Sequence, residues 1–182
     1  MDYWNRLGWQ DPFSQAAFSQ RQRDYARSWS NTQVYTPQMV VNGRMGFVGS
    51  RQQEAWQVIN EVLKQPATTT LTLAAATIGE NIRLTYKING KYQDQHLQVA
   101  LVEKAVTTAV RRGENSGLKL HHSQVVRQFV TDKLSKSGQG QIDIQLPDDL
   151  LPEAAELIAY VQDPSTLRIN GATLLKLEDL VN

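Results

Sequence analysis

The sequence contains no cysteine. Within these 182 residues that excludes disulfides, thiolate metal sites and a cysteine nucleophile. Charge of one sign is also lacking. Lys and Arg number 19, Asp and Glu 18, and the formal charge is +1, so there is no electrostatic footprint for nucleic acid or for an anionic membrane. Long apolar runs are missing. Leu97-Gln98-Val99-Ala100-Leu101-Val102 is among the longest and falls far short of the ~20 residues that span a bilayer, so no membrane insertion is expected. Met1 to Gln10 has neither a basic n-region nor an apolar h-region. There are no repeats at solenoid periods and no low-complexity tract. What is present is ordinary globular material, 41% hydrophobic and 20% charged, enough for a core and for one or two domains at roughly 100–150 residues each.

The texture changes near residue 66. Eight of the fourteen aromatic residues fall in the first 35, namely Tyr3, Trp4, Trp9, Phe13, Phe18, Tyr25, Trp29 and Tyr35. After Pro66, β-branched and polar residues alternate. Residues 1–66 and 67–182 are therefore read as two regions.

In the first region, Asp11-Pro12 suits a helix start, with Asp as N-cap and Pro at the first helical position. The helix then runs to about Trp29, with Phe18, Tyr25 and Trp29 on one face. Met39 to Val41 is a short apolar run. Asn42-Gly43 is the favoured pair for a two-residue hairpin turn, because both central positions need φ > 0, and Met45 to Val48 returns as the partner strand. Ser50 with Gln53 forms a capping box. Ala55, Val58, Ile59, Val62 and Leu63 then trace one face of a helix. Pro37 must sit at a strand's first residue, at an edge or at a bulge, because it cannot donate to a ladder.

In the second region, Leu71-Leu73-Ala75, Ile82-Leu84-Tyr86-Ile88, Leu97-Val99-Leu101 and Ile142-Ile144-Leu146 are apolar at every second position. Val125 to Val130, ambiguous between helix and strand, leans to strand. Leu157 to Gln162 and Thr173 to Leu177 bring the named candidate strands to seven, close to the about eight of a β-sandwich pattern. Asn89-Gly90 and Asn170-Gly171 read as further turns.

Several segments carry a resemblance. They are Asp2 to Phe13, Gln20 to Ala26, Tyr35 to Arg44 and Val48-Gly49-Ser50, with Ala100 to Glu103, Val110 to Gly117, His122 to Arg127 and Ala159 to Asp163. Together they resemble the bacterial domain of unknown function 1223 family, described as thioredoxin-like secreted proteins. The resemblance covers nearly the whole chain. It implies an α+β fold, a truncated thioredoxin-like domain followed by an all-β sandwich-like domain. Full-length relatives are expected to carry an export signal, a first strand, a Cys-x-x-Cys helix and a second strand before the Asp-Tyr-Trp segment at residues 2–4. The expectation is that the recorded start is internal or that the gene is truncated. A chain with the family's signal is periplasmic or secreted, and a chain made as given stays in the cytoplasm.

The resemblance also assigns candidate sites. Thr36, Pro37 and Gln38 correspond to the substrate groove beside the cysteines. The Thr36–Pro37 bond is either a trans bond that merely opens the strand or the cis bond that thioredoxin-like folds place there. Without a first strand, Gln38 to Val41 exposes unpaired backbone groups, a template for a homodimer, and the N-terminal region is expected to be the weaker half. Trp4 and Trp9 are either core residues or an aromatic binding face.

Other residues admit blander readings. Arg112, Glu114, Asn115, His122 and Arg127 are expected to form a structural polar cluster under a long loop. A metal is not expected, because the adjacent His121 and His122 point to opposite faces of a strand and zinc wants three or four ligands. Arg111-Arg112 is too short for nucleic acid. The glycines at 113 and 117 lack phosphate-loop spacing, and no Ser-His-Asp arrangement follows from the sequence. No cofactor is expected. Two functions remain open: a thiol-disulfide protein whose cysteine-free chain is non-catalytic, or a non-catalytic protein- or glycan-binding module.

Overall fold

The computed structural model describes residues 1–31, 33–113 and 115–178. It mixes helix with antiparallel sheet. A short 3-10 segment, Asp2–Leu7, precedes α1 (Ala16–Ser28), β1 (Gln38–Val41), β2 (Met45–Val48) and α2 (Gln52–Leu63). Seven strands follow: β3 (Thr69–Ile78), β4 (Asn81–Gly90), β5 (His96–Ala109), β6 (Lys119–Lys133), β7 (Gln139–Gln145), β8 (Ala155–Gln162) and β9 (Ile169–Lys176). The strand orders are β1-β2, β3-β4-β7 and β6-β5-β8-β9.

The two larger sheets share one core. Ile82, Leu84, Tyr86 and Ile88 of β4 and Ile142 and Ile144 of β7 pack with Leu97, Val99 and Leu101 of β5 and Leu157, Ala159 and Val161 of β8. Alternation with period two puts each set on one inner face. Each large side chain so buried is worth roughly 1.5–3 kcal/mol of transfer free energy. β5 departs from alternation, because Leu97 to Val102 are six consecutive buried residues. Its outer face is covered too: α1 lies on the β5-β6-β8 side of the sheet, with Arg21 and Tyr25 bonded to Tyr160 and Gln162.

Several local expectations are corrected. The first helix begins at Ala16, four residues after Pro12. Asp11 instead closes a tight turn, its Oδ1 accepting from the Phe13 amide (2.9 Å) and its carbonyl from the Ser14 amide (3.1 Å). Asp side chains favour such local bonds over capping when the chain turns at once. Ser50 and Gln53 form no capping box: α2 starts after Arg51 with no side-chain cap. The Asn42-Gly43 turn has the positive φ values expected, 46° and 67°. Its ladder, however, pairs Val41 with Met45, so three residues make the connection. Neither of the other Asn-Gly pairs is a hairpin turn. Asn89-Gly90 ends β4. Asn170 is the extra residue of a bulge in β9, where Val161 faces Gly171 and Gln162 faces Ile169. There its carbonyl accepts from the Thr68 amide and its side chain donates to Gln95. Among the described residues the region after residue 66 forms seven strands, one at each of the seven segments named from the sequence.

The hairpin of β1 and β2 is anchored at its tip. Gly43 lies so close to the β8–β9 connection that a Cβ on it would stand 1.8 Å from the Leu167 carbonyl oxygen, and the Asn42 carbonyl accepts from the Ile169 amide at 3.0 Å. The first region is thus docked on the sandwich through α1 and this turn. α2 is the thinly covered part: Ala55 is buried, while Trp56 and Leu63 are 60% and 75% exposed.

Candidate functional site

Thr36–Pro37 opens β1, and its peptide bond is cis. Pro37 places its carbonyl to accept from the Gly49 amide at 2.9 Å, which closes the open end of the hairpin. β1 pairs only with β2 among the described residues, so its other edge has no strand partner. Gln22 of α1 holds the segment from behind. Its Nε2 donates to the Tyr35 carbonyl (2.8 Å) and to Gln38 Oε1 (2.9 Å), and its Oε1 accepts from the Tyr3 hydroxyl (2.9 Å). Gln22 is buried, and these bonds satisfy a group that would otherwise be costly to bury.

Trp4 stands over the same point. Its indole Nε1 donates to Thr36 Oγ1 at 3.0 Å, and the residue is 48% exposed. Trp4 and Trp9 line one cleft of about 230 Å³ between residues 1–11 and the connection from β5 to β6. Gly113, at φ +84°, lies against this segment: a Cβ there would stand 3.2 Å from the Leu7 carbonyl oxygen and 3.4 Å from Trp9 Cβ. Only a glycine suits both the left-handed backbone and the close approach. Arg112 and Asn115 line the same cleft.

The five residues expected to form one polar cluster are divided. Arg112 and Asn115 belong to the tryptophan cleft, and Glu114 lies outside the described residues. Arg127 sits where β6 carries an extra residue, since Leu101 faces Gln128 and Val102 faces Val126. Such bulges re-aim a side chain. Arg127 Nη1 donates to Glu103 at 2.5 Å and Nη2 to both oxygens of Asp149 at 2.6 and 2.7 Å. Burial works against its charge, but the two carboxylates outweigh that and hold its pKa above the usual arginine value. Its guanidinium lies over the Phe13 ring at 5.6 Å, and Phe13 meets His122 edge-on at 6.1 Å. His122 Nε2 is buried without a hydrogen-bond partner. Arg127 and His122 thus share a neighbour, Phe13, and no hydrogen bond joins them among the described residues.

Arg21 is a well-connected polar group that the sequence reading does not single out. Arg21 Nη2 donates to Tyr160 Oη (2.7 Å), Gln162 Oε1 (2.9 Å) and Tyr25 Oη (3.1 Å). Its guanidinium carbon also lies 4.6 Å from the Phe129 ring centre and 5.2 Å from that of Tyr25. Burial pushes the Tyr160 phenol up to about 12, against the opposing pull of Arg21. Nothing in the sequence singles out Arg21, because an arginine on an amphipathic helix reads as a solvated residue.

Among the described residues no group of three or more His, Cys, Asp or Glu is placed to hold a metal, and no helix is long and apolar enough to cross a membrane.

Among curated proteins none matches the chain. Among solved structures, protein AGR_C_4864 from Agrobacterium tumefaciens is similar at a TM-score of 0.69 and 20% identity, over 96% of this chain and 77% of that one. At that identity the likeness is one of fold. A domain of the outer membrane lipoprotein Omp28 from Porphyromonas gingivalis is a partial likeness, with a TM-score of 0.34 and 17% identity over 61% of this chain and 96% of that one. The family described as protein of unknown function, DUF1223, matches residues 1–162, and the chain belongs to that family.

Proposed function

We propose that this chain is a thioredoxin-like protein of the cell exterior or periplasm that holds an extended peptide along β1, related to thiol-disulfide proteins but itself non-catalytic. The observation that carries the reading is Thr36–Pro37 at the head of a strand whose outer edge is open, with Gln22 holding the Tyr35 carbonyl on one side and the Gln38 side chain on the other. An open edge offers main-chain donors and acceptors to an extended peptide. The order of α1, the β1–β2 hairpin and α2 is one expected within such a domain. Thiol-disulfide exchange needs a thiolate, and this chain has no cysteine to supply one.

The test is an amide-resolved NMR titration of the protein with a capped, extended cysteine-containing peptide, alongside an insulin-reduction assay. Shifts confined to Tyr35–Val41 and the Trp4 indole, with no turnover, are expected. Absence of shifts there, or turnover by this chain, overturns the reading.

The second reading is a binding module without redox relatives. The cleft that joins Trp4 and Trp9 favours it, since aromatic anchors in a concave site suit a protein or glycan partner. Binding that survives blockage of the β1 edge but is lost in Trp4→Ala and Trp9→Ala selects this reading over the first.

A further inference from the structure

We propose that the cleft between α1 and β6 binds a small organic carboxylate with an apolar body, held by Arg21. The cleft is about 360 Å³, at the lower end of the range that suits small ligands. It lies apart from the tryptophan cleft and has a different lining.

Three charged side chains line it: Arg21, Asp24 and Arg127. Two of them are committed. Arg127 is held by Glu103 and Asp149. Asp24 accepts from Arg27 at 2.5 Å and from the Gln20 amide at 2.9 Å. Arg21 has no carboxylate partner among the described residues, and all its protein bonds are made by Nη2 to neutral oxygens. Its Nε and Nη1 meet no protein acceptor among those residues, and neither is a sealed, partnerless nitrogen. They remain open to an incoming group.

A half-buried cation with no anion is an unbalanced arrangement. The aromatic rings of Phe129 and Tyr25 offset part of that cost, but they supply no acceptor for Nε and Nη1. A carboxylate meets those donors with charge-assisted hydrogen bonds. Phe18, Phe129 and Leu167 give the lining an apolar part among glutamines and a threonine, and that part favours an acid with a hydrocarbon or aromatic body over an inorganic anion. A volume of about 360 Å³ suits a small acid of about ten non-hydrogen atoms.

The experiment is a calorimetric and NMR titration with 3-phenylpropionate, with 3-phenylpropionamide and chloride at matched ionic strength as controls. Binding of the acid at least ten-fold tighter than the amide is expected, with shifts centred on Arg21, Phe18 and Phe129. Arg21→Met should erase that preference. Phe18→Glu places a carboxylate in the cleft and should weaken the acid at least ten-fold while circular dichroism stays unchanged. Equal binding of acid and amide, equal binding of chloride, no binding at millimolar acid, or shifts centred on Trp4 and Trp9 each overturn the proposal. The wild-type titration decides by itself if Arg21→Met fails to fold. Because Thr36–Val41 takes no part, the outcome is independent of the peptide titration above.

Discussion

The phenol oxygen of Tyr160 lies 2.7 Å from Arg21 Nη2, across 139 residues of sequence. This pair ties α1 to the outer face of the sheet of β5, β6, β8 and β9, and so ties the first region to the second. A double-mutant cycle with Arg21→Met and Tyr160→Phe measures the tie. A coupling of about 1–2 kcal/mol is expected for a partly buried charged hydrogen bond. A coupling indistinguishable from zero would mean that α1 is held by packing alone.

Tyr160 also gives an alkaline signature. Burial raises its pKa to about 12, and burial with the Asp132 carboxylate does the same for Tyr86, whose hydroxyl donates to Asp132 at 3.0 Å. In the unfolded chain both phenols ionise near pH 10. The folded state therefore holds their protons longer, and their contribution is complete below pH 10 and lost as pH rises through about 12. Stability should fall across pH 10–12, and two of the six tyrosines should titrate late by absorbance near 295 nm. Tyr160→Phe should flatten the stability slope in that window. Six tyrosines ionising together near pH 10 in folded protein would contradict the burial of these two.

Asp163 acts at the other end of the scale. Its carboxylate accepts from the Ser165 hydroxyl (2.6 Å) and from the Ser165 and Thr166 amides (2.8 and 2.9 Å), and its pKa falls to about 2. A lowered acid pKa contributes stability above the unfolded value and loses it as pH drops through the folded one. The window is thus about pH 4 down to 2. Asp163→Ala should cost about 1 kcal/mol at neutral pH, the value of a charged hydrogen bond discounted for solvent screening. The cost should vanish near pH 2. An equal cost at pH 7 and pH 2 would assign the effect to backbone shape and not to the charge.

How much of this was legible in the sequence differs from element to element. The β1–β2 hairpin could be read because Asn42-Gly43 encodes its own backbone shape, and that signal is local. The same dipeptide misled at 89–90 and 170–171. There the strands are placed by pairing with distant partners, and Asn170 bonds to Thr68 and Gln95. The run at 97–102 is buried on both faces of β5, whereas the alternation of Leu97, Val99 and Leu101 marks only the inner one. What covers the outer face, α1, is set by contacts more than a hundred residues apart. Arg21 on an amphipathic helix looks like a solvated residue until Tyr160 and Gln162 are brought beneath it. Arg112, Asn115 and Arg127 are close in sequence, but that closeness does not fix their partners, and Arg112 and Asn115 line the tryptophan cleft. A bulge in β6 sends Arg127 to Glu103 and Asp149 instead.

Gly43 tests the anchoring of the hairpin. A Cβ there would meet the Leu167 carbonyl oxygen at 1.8 Å, and the residue has φ +67°. Backbone cannot yield as the end of a flexible side chain can. Gly43→Ala should therefore cost more than the roughly 1–2 kcal/mol of left-handed strain alone. It should also free the Ile169 amide, which donates to the Asn42 carbonyl. Faster hydrogen exchange at Ile169 is the readout, with unchanged exchange arguing that the tip is not an anchor.

The open edge of β1 makes a prediction about assembly. Unpaired strand edges recruit partners unless they are charged, short or covered. β1 is short, but Gln38 to Val41 carries no charge. Pairing of two copies along this edge is expected at high concentration, with the thinly covered face of α2 close by in sequence. Sedimentation velocity from micromolar to millimolar protein should show a concentration-dependent dimer, and Met39→Lys should shift it toward monomer by adding like charges across the new ladder. Amide exchange at Met39, Val40 and Val41 should slow in the dimer. A chain that stays monomeric throughout, with those amides already as protected as Val99 and Leu101, would show that the edge is satisfied within one molecule and leaves no room for either a second copy or a peptide.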